Sequence, residues 1–277
     1  MKRITKETAI FTILGIPMVI CLAAFMLIVL ILSRGFETLQ WSLMTTSALQ
    51  GGLFEMIIGT VYLFLGATAV AGPIGVLAAI YLTEYAQFGR LTRIIDQSIN
   101  NLAGVPSIVI GLFGYTFFCR QLGLGISLAA GWLTLTLMML PIVIRGTEEA
   151  IKMVPESFKE AALALGTTKW KAVSSMKVSP ALPGIITSVI LGVARIAGET
   201  AAILFTACVL VTRGLPKSPL EPVMALAYNL FVKIVALGEP PEKVFGIALV
   251  LFFIVILFTV TAIVLRFNYR RKQQWLR

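Results

Sequence analysis

Six long apolar stretches constrain the fold of this chain more than any other feature of its sequence. They lie near residues 10–32, 57–82, 103–119, 124–144, 185–211 and 244–265. A helix needs about 20 predominantly apolar residues to cross the hydrocarbon core of a bilayer. Because backbone polar groups in hydrocarbon must be satisfied internally, apolar segments of this length are expected to be helices. The sequence therefore predicts an all-α, multi-pass transmembrane helical bundle of about six spans.

The composition supports this class. Charged residues make up only 13% of the chain, and the mean hydropathy is +0.94. A soluble domain would carry about twice that charged fraction. The first apolar stretch has no small-residue cleavage site after it, so we expect a membrane helix there and not a signal peptide. We expect one transmembrane domain over 1–277, with a peripheral helix and external loop in 1–56, a core in 57–265, and a basic tail in 266–277.

The net charge of +10 invites a nucleic-acid interpretation, but the charge distribution argues against one. With six spans, both termini lie on the same side, and sixteen of the 23 basic residues lie there too. Basic residues are enriched on the cytoplasmic side of membrane proteins. The positive charge therefore indicates topology, with both termini in the cytoplasm, and we expect no nucleic acid as a partner.

Residues that the sequence lacks exclude several kinds of chemistry. The chain has no histidine, and its three cysteines all lie in apolar stretches. These features argue against histidine-based catalysis, a metal site and a disulfide framework. No glycine-rich phosphate-binding loop of the P-loop type is present either. We expect no catalytic residue, cofactor or metal, and an energy source in either a gradient or a separate subunit.

The longest polar interruption on the predicted cytoplasmic side is 145–184, and it contains a short helix over Pro155–Gly166. Proline is favoured at the first helical position and glycine just past the end. Helical spacing places four apolar residues on one face: Phe158, Ala161, Ala162 and Leu165. An apolar face outside the bilayer needs something to cover it. The pattern predicts a docking site for a partner protein.

The fifth apolar stretch differs from the others because it carries Arg195 and Glu199. A spacing of four predicts that both side chains lie on one helix face, near the middle of the bilayer. Each charge costs at least ~2.5 kcal/mol at a helix centre, and such residues usually face a bundle interior or an aqueous path. Two interpretations stay open. The residues form either a structural ion pair or part of a transport path.

The stretch Val223–Leu237 is apolar but interrupted by Asn229 and Lys233, and prolines flank it on both sides. It is too interrupted to span a bilayer and is typical of an interfacial helix. Such a helix would either dock a soluble partner outside the membrane or cap the bundle.

Several of these residues resemble a known family. Glu160-Ala161-Ala162, followed by Gly166 after three further residues, is similar to the cytoplasmic loop of ATP-binding-cassette importer permeases. Gly104 to Ser107, Tyr81 to Ala86, and above all Ala194-Arg195 with Gly198-Glu199-Thr200-Ala201 resemble PstA-type permeases of phosphate-specific transport systems. The resemblance covers about residues 57–211.

The resemblance implies a MetI-like permease core of five helices with one added helix, in the cytoplasmic membrane of a bacterium or archaeon. In that family 145–184 is a coupling loop whose short helix sits in a groove of a cytoplasmic ATPase. The implied partners are two ATPase copies, a second homologous permease subunit in a heterodimer, and an extracytoplasmic phosphate-binding protein. Phosphate would be the substrate, with Arg195 and Glu199 in its path. ATP hydrolysis would belong to the partner, within a complex surrounded by membrane lipid.

Three alternatives stay open on the residues alone. The first is an importer permease for another oxyanion, such as sulfate or molybdate. The second is a gradient-driven secondary transporter, which would place Arg195 and Glu199 in the membrane but would not need the Pro155–Gly166 helix. The third is a non-transporting membrane scaffold, which would leave the two intramembrane charges without a use.

Overall fold

The computed structural model describes residues 6–87, 89–240 and 244–272, and within these ranges the chain forms helices and no strand. This confirms the all-α prediction. In chain order the helices are α1 (Lys6–Thr38), α2 (Trp41–Thr45), α3 (Phe54–Glu84), α4 (Arg90–Ala103), α5 (Ser107–Gly114), α6 (Leu128–Lys152), α7 (Glu156–Ala164), α8 (Lys169–Val173), α9 (Ser179–Ile196), α10 (Ala201–Thr206), α11 (Leu226–Phe231) and α12 (Phe245–Lys272). Wider π-helical turns extend α5 and α11 and join α8 to α9.

Four helical stretches in the described ranges are long and apolar enough to cross a membrane: Gly15–Thr38, Phe54–Glu84, Leu128–Lys152 and Lys169–Ile196. A fifth span results if α4 and the extended α5 count together, although they bend by 110°. The predicted span 103–119 therefore begins with a sharp bend, because Pro106 lies between the two helices. The predicted span 244–265 falls in α12, whose apolar part is Phe245–Thr261.

The centre of the bundle consists of α3, α6 and α9. On α3, a Cβ at Gly66 would collide with Trp132 and one at Gly75 with Val143, so α3 and α6 run parallel. On α9, Gly184 meets Ala150 and Gly192 meets Met139, so α9 runs antiparallel to α6. Small residues let membrane helices approach closely where a larger side chain would hold them apart. The packing fixes the height of each α9 residue relative to α6.

The first helix lies at the edge of this bundle. None of its most apolar 18-residue stretch is buried within the chain. Its last turns pack on α12, where Gly35 meets Leu249 and the rings of Phe36 and Phe253 lie 6.0 Å apart. Bilayer lipid or a partner chain is left to cover the rest of α1.

The segment before α11 closes one end of the bundle. Val223 to Leu226 are each at most 1% exposed, so the prediction of an interfacial helix over Val223–Leu237 is wrong for its first half. Carbonyls of Thr206, Pro219 and Glu221 accept hydrogen bonds from the first three amides at the α6 N-terminus, at 2.8–3.0 Å. These amides have no partner within their own helix. The segment is a cap on α6, and the exposed apolar side chains begin only near Phe231.

Candidate functional site

The helix that carries Arg195 ends one residue later. Ala197 is extended, Gly198 has φ +85°, and the chain becomes helical again only at Ala201. A positive φ is easily adopted by glycine, which has no Cβ to clash with the backbone. The predictions of one continuous span over 185–211, and of both charges on one helix face, are therefore wrong. Gly198 interrupts the helix between the two charges.

The two charges nevertheless form an ion pair across this break. The Nη1 of Arg195 donates a hydrogen bond to Oε2 of Glu199 at 3.0 Å. The Glu199 side chain is 9% exposed, whereas that of Arg195 is 45% exposed. The Glu199 amide also bonds to the carbonyl of Ile196 at 3.0 Å, which fixes the turn. The ion pair that the sequence analysis left open as one interpretation is present, but a turn forms it and not a shared helix face.

Packing on α6 gives the height of the pair. A Cβ at Gly192 would meet Met139 and Val143, and Arg195 lies almost one turn farther along α9. Since α6 runs from Leu128 to Lys152, this level is close to its midpoint. Beyond the break, α10 continues to the far end of α6, where the carbonyl of Thr206 accepts a hydrogen bond from Ser127. The break and its charges thus lie at mid-height of the bundle.

Arg195 keeps most of its hydrogen-bonding capacity. Its bond to Glu199 is its one side-chain hydrogen bond within the described residues. A guanidinium carries five N–H donors in a planar fork that matches the oxygens of carboxylate and phosphate groups. The arrangement combines a half-exposed cation with spare donors and a neighbouring carboxylate that balances its charge. It is suited to transient contact with an oxyanion.

The predicted cytoplasmic helix is present as α7, a little shorter than expected. Gly166 has φ +80°, as the sequence pattern predicts, while Pro155 precedes the first helical residue. The residues proposed for ATPase coupling separate into two groups. Exposed residues are Phe158, Glu160, Ala161, Leu165 and Gly166, and Ala162 is buried against the chain itself.

Two further large apolar side chains close to α7 in the chain are exposed, and the sequence analysis missed both. Met153 is 83% exposed and Trp170 is 58% exposed, comparable with Leu165 at 85%. They flank α7 on either side in the chain, among charged residues. The signal available in the sequence was that each of these large apolar residues lies next to basic residues in a polar loop. Exposed apolar side chains are therefore present on both sides of α7 in the chain as well as on α7 itself.

Four charged residues lie on the opposite side of α7, and we call them the charge cluster: Glu84, Glu156, Lys159 and Lys177. Lys159 pairs with Glu84 at 2.8 Å and also contacts Glu156, while Lys177 pairs with Glu156 at 2.9 Å. Burial opposes the charge on Lys159, but its bonds to Glu156 and Glu84 raise its pKa above the ordinary value. Hydrogen bonds from Lys159 and Lys177 hold the pKa of Glu156 below its ordinary value. Both shifts favour the charged forms.

A large cleft of roughly 1040 Å³ lies between α4 and α6. Arg145 lies in its wall and donates hydrogen bonds to Asn100, to Glu148, and to both the side chain and the backbone carbonyl of Asp96, at 2.7–3.0 Å. Four of its five donors are thereby occupied. The sequence analysis gave this position only as the first residue of the polar interruption 145–184. The structure shows that it links α4 to α6.

Comparisons with known proteins agree with this architecture. The model of the family described as "binding-protein-dependent transport system inner membrane component" matches residues 71–273. The chain superposes on the MetNI methionine ABC transporter in an inward-facing conformation with a TM-score of 0.60, over 83% of this chain and 99% of that one. The sequence identity there is 18%, so this likeness shows the fold alone.

Curated relatives are more similar in sequence. The phosphate transport system permease protein PstA of Yersinia pestis is 44% identical over 156 residues, which are 56% of this chain and 52% of that protein. PstA 1 of Mycobacterium tuberculosis is 36% identical over 213 residues, 74% of this chain and 69% of the relative. The chain thus spans about half of the Yersinia protein. The family model nonetheless covers well over half of this chain, which therefore belongs to the family of binding-protein-dependent transport system inner membrane components.

Proposed function

We propose that this chain is a permease subunit of an ATP-driven importer that moves inorganic phosphate across the cytoplasmic membrane. The observation that carries this proposal is Arg195, a half-exposed guanidinium with spare donors at mid-height of the bundle. The names of curated relatives, which include phosphate transport system permeases, support phosphate as the oxyanion. Arg195 and Glu199 are the proposed residues of the substrate path.

The Arg195–Glu199 pair is suited to weak, transient binding of phosphate and not to tight binding. Phosphate carries between one and two negative charges near neutral pH and presents oxygens that a guanidinium fork can bind. Glu199 holds Arg195 in place when no anion is present, so that the cation is not left unpaired in a bundle. When phosphate arrives, the same carboxylate repels it. Weak binding at this point favours release and continued movement through the membrane.

Energy would come from a separate ATPase docked on the exposed face of α7. Phe158, Leu165, Met153 and Trp170 offer an apolar surface on the cytoplasmic side, with Glu160 beside it. We infer two ATPase copies, a second homologous permease as heterodimer partner, and an extracytoplasmic phosphate-binding protein. Both termini would lie in the cytoplasm. ATP hydrolysis would belong to the partner, so this subunit itself would not be an enzyme.

The test measures complex assembly and phosphate uptake for Arg195→Gln, Glu199→Gln and the double variant in reconstituted vesicles. A structural pair predicts that the double variant regains both stability and uptake, because no lone charge is left. A path residue predicts that the double variant assembles but does not import. We expect the second result, with uptake reduced by ~100-fold, the loss expected when about 2.7 kcal/mol of charge-assisted bonding is removed.

Arg34→Gln is the matched control, since it breaks the exposed pair with Glu37 at one end of α1 and should leave uptake unchanged. Sulfate and molybdate are added as competitors to test the choice of oxyanion. Normal phosphate uptake by the double variant would return Arg195 to helix packing and overturn the proposal.

A further inference from the structure

Three separate parts of the chain meet in the charge cluster beneath α7. Glu84 is the last residue of α3, Glu156 and Lys159 lie in the first turns of α7, and Lys177 lies in the π-helical turn that leads into α9. Oxygens of Glu84 lie 2.8 Å from Nζ of Lys159 and 3.9 Å from Nζ of Lys177. The carboxylate of Glu84, on α3, therefore contacts both Lys159 of α7 and Lys177, which leads into α9.

The inner half of the cluster is buried and its bonding is nearly complete. The side chains of Glu84 and Lys177 are 3% and 4% exposed, whereas those of Lys159 and Glu156 are 17% and 53% exposed. Lys177 also donates to the carbonyl of Val154 at 2.8 Å, just before α7 begins. Two positive and two negative charges balance one another. A buried charge is tolerated when partners satisfy it, and the loss of one partner leaves another charge uncompensated.

Little apolar packing holds α7 in place besides these charges. Ala162 is its one buried residue among the nine of the helix, and alanine buries little surface. Phe158, which is large enough to anchor a helix, is 53% exposed. Since a short helix gains most of its stability from tertiary packing, α7 needs another attachment. The charge cluster is the strongest contact available to it.

The attachment leads directly to the substrate-path residues. α8, the π-helical turn and α9 form one continuous helical stretch, Lys169–Ile196, of 28 residues, and both Lys177 and Arg195 lie on it. At 1.5 Å per residue, the 18 residues between them span roughly 27 Å. A displacement of α7 that is passed to Lys177 would therefore reach the break at Gly198 along a continuous helix.

We propose that Glu84 is a positioning residue for energy coupling: by bridging Lys159 and Lys177, it locks α7 to α3 and α9 so that the three move as one body. This inference rests on the proposed function, because it assumes that a partner pushes on α7. Without Glu84, the Glu156–Lys177 pair would be the remaining salt bridge between α7 and the rest of the described bundle. When the docked partner moves, α7 would then move by itself and would not carry α3 and α9 with it.

The experiment uses the complete transporter with Glu84→Gln, which removes the charge and keeps the side-chain shape. We expect phosphate imported per ATP hydrolysed to fall by ~5-fold or more, the lower end of typical coupling between sites, while ATP hydrolysis by the assembled complex persists. Glu149→Gln is the matched control, because its carboxylate pairs with Lys152 at the surface and is 74% exposed. It should leave the ratio unchanged.

A second variant covers the case in which Glu84→Gln fails to fold. Glu84→Gln combined with Lys159→Gln leaves Glu156 and Lys177 as a balanced pair, so the complex should assemble. It should still show the low ratio of phosphate to ATP. A normal ratio in this double variant would overturn the proposal.

Hydrogen exchange of the α7 amides separates this inference from the proposed function. The measurement needs no transported substrate, so it remains informative if wild-type vesicles import another oxyanion or none. We expect faster exchange over Glu156–Ala164 in both Glu84 variants and wild-type exchange in Glu149→Gln. Unchanged exchange in the Glu84 variants would overturn the link even if phosphate import is confirmed.

Discussion

The Arg195–Glu199 pair and the charge cluster beneath α7 both place opposite charges within hydrogen-bond distance, but their surroundings differ. Arg195 is 45% exposed and makes one side-chain bond within the described residues. Lys177 is 4% exposed and bonds to a carbonyl as well as to Glu156. The pair comes from one local turn, whereas the cluster joins three elements.

This difference distinguishes a charge available to a ligand from a charge that holds a fold together. A donor that is already hydrogen-bonded to protein groups cannot also bind substrate. If one of its buried partners is removed, a charge is left buried and unpaired, which destabilises the fold. Spare donors on a half-exposed cation cost less to leave unpaired. We therefore expect substitutions in the cluster to affect stability first, and substitutions at the pair to affect transport first.

The largest effect on stability should come from Lys177→Met. This change leaves Glu84 with Lys159 as its one salt-bridge partner and removes the hydrogen bond from Lys177 to the Val154 carbonyl. We therefore expect the free energy of unfolding to fall by ~3 kcal/mol, the low end for breaking a buried ion pair. Denaturant unfolding of the purified protein in detergent measures it. Lys152→Met is the control, because Lys152 is 55% exposed and should change little. Equal losses in the two variants would contradict the distinction.

Glycine substitutions along α9 should show that its N-terminal half is held more tightly than its C-terminal end near the Arg195–Glu199 pair. A Cβ at Gly184 would lie 2.5 Å from Cβ of Ala150, which cannot move aside, so we expect Gly184→Ala to cost ~2 kcal/mol by overpacking. At Gly192 the nearest atom belongs to the flexible side chain of Met139, and the loss should be smaller. Gly72→Ala is the control, since nothing lies within 4 Å there. Thermal unfolding would rank the three, and a loss at Gly192 exceeding that at Gly184 would contradict this order.

Gly198→Ala, unlike the preceding substitutions, should affect phosphate uptake more than stability. Forcing alanine to a φ of +85° costs ~1 kcal/mol, which the bundle can tolerate. The turn that brings Glu199 to Arg195 would nevertheless relax, so phosphate uptake should fall by more than the stability loss explains. Unfolding and uptake are measured on the same preparation. Uptake at the wild-type level would mean that the break geometry is unimportant.

The smallest effect is the pH dependence of α7. A carboxyl whose pKa is lowered on folding adds stability above its unfolded pKa and loses it as the pH falls through the folded value. Lys159 and Lys177 lower the pKa of Glu156 below 4.5, so we expect constant α7 protection from neutral pH to ~5 and a decline below 4.5. The pKa of Lys159 is raised above 10.5, so its charge persists throughout.

Hydrogen exchange, corrected for the intrinsic pH dependence, follows this decline. Glu156→Gln should reduce the acid transition, because it removes the carboxyl whose pKa is lowered on folding. Loss of α7 protection between neutral pH and ~5 would show that a group other than Glu156 controls the attachment.

The sequence by itself determined the helical class, the placement of the main membrane helices and the short α7 helix with its left-handed glycine at 166. It also indicated that Arg195 and Glu199 lie close together, with a structural ion pair as one of two open interpretations. Hydrophobic length, side-chain spacing and glycine conformation are local properties, and these features follow from them. Local patterns failed where a tertiary contact decided the outcome.

Only the tertiary structure decided that α9 stops at Ile196, that Val223 and its neighbours cap α6, and that Ala162 turns inward. It alone brought Glu84 to Lys177, 93 positions later in the chain, and so revealed the charge cluster. No window of sequence contains both partners of such a contact. Burial and charge pairing between distant residues arise when helices pack, because packing chooses which faces are removed from water and which charges meet there.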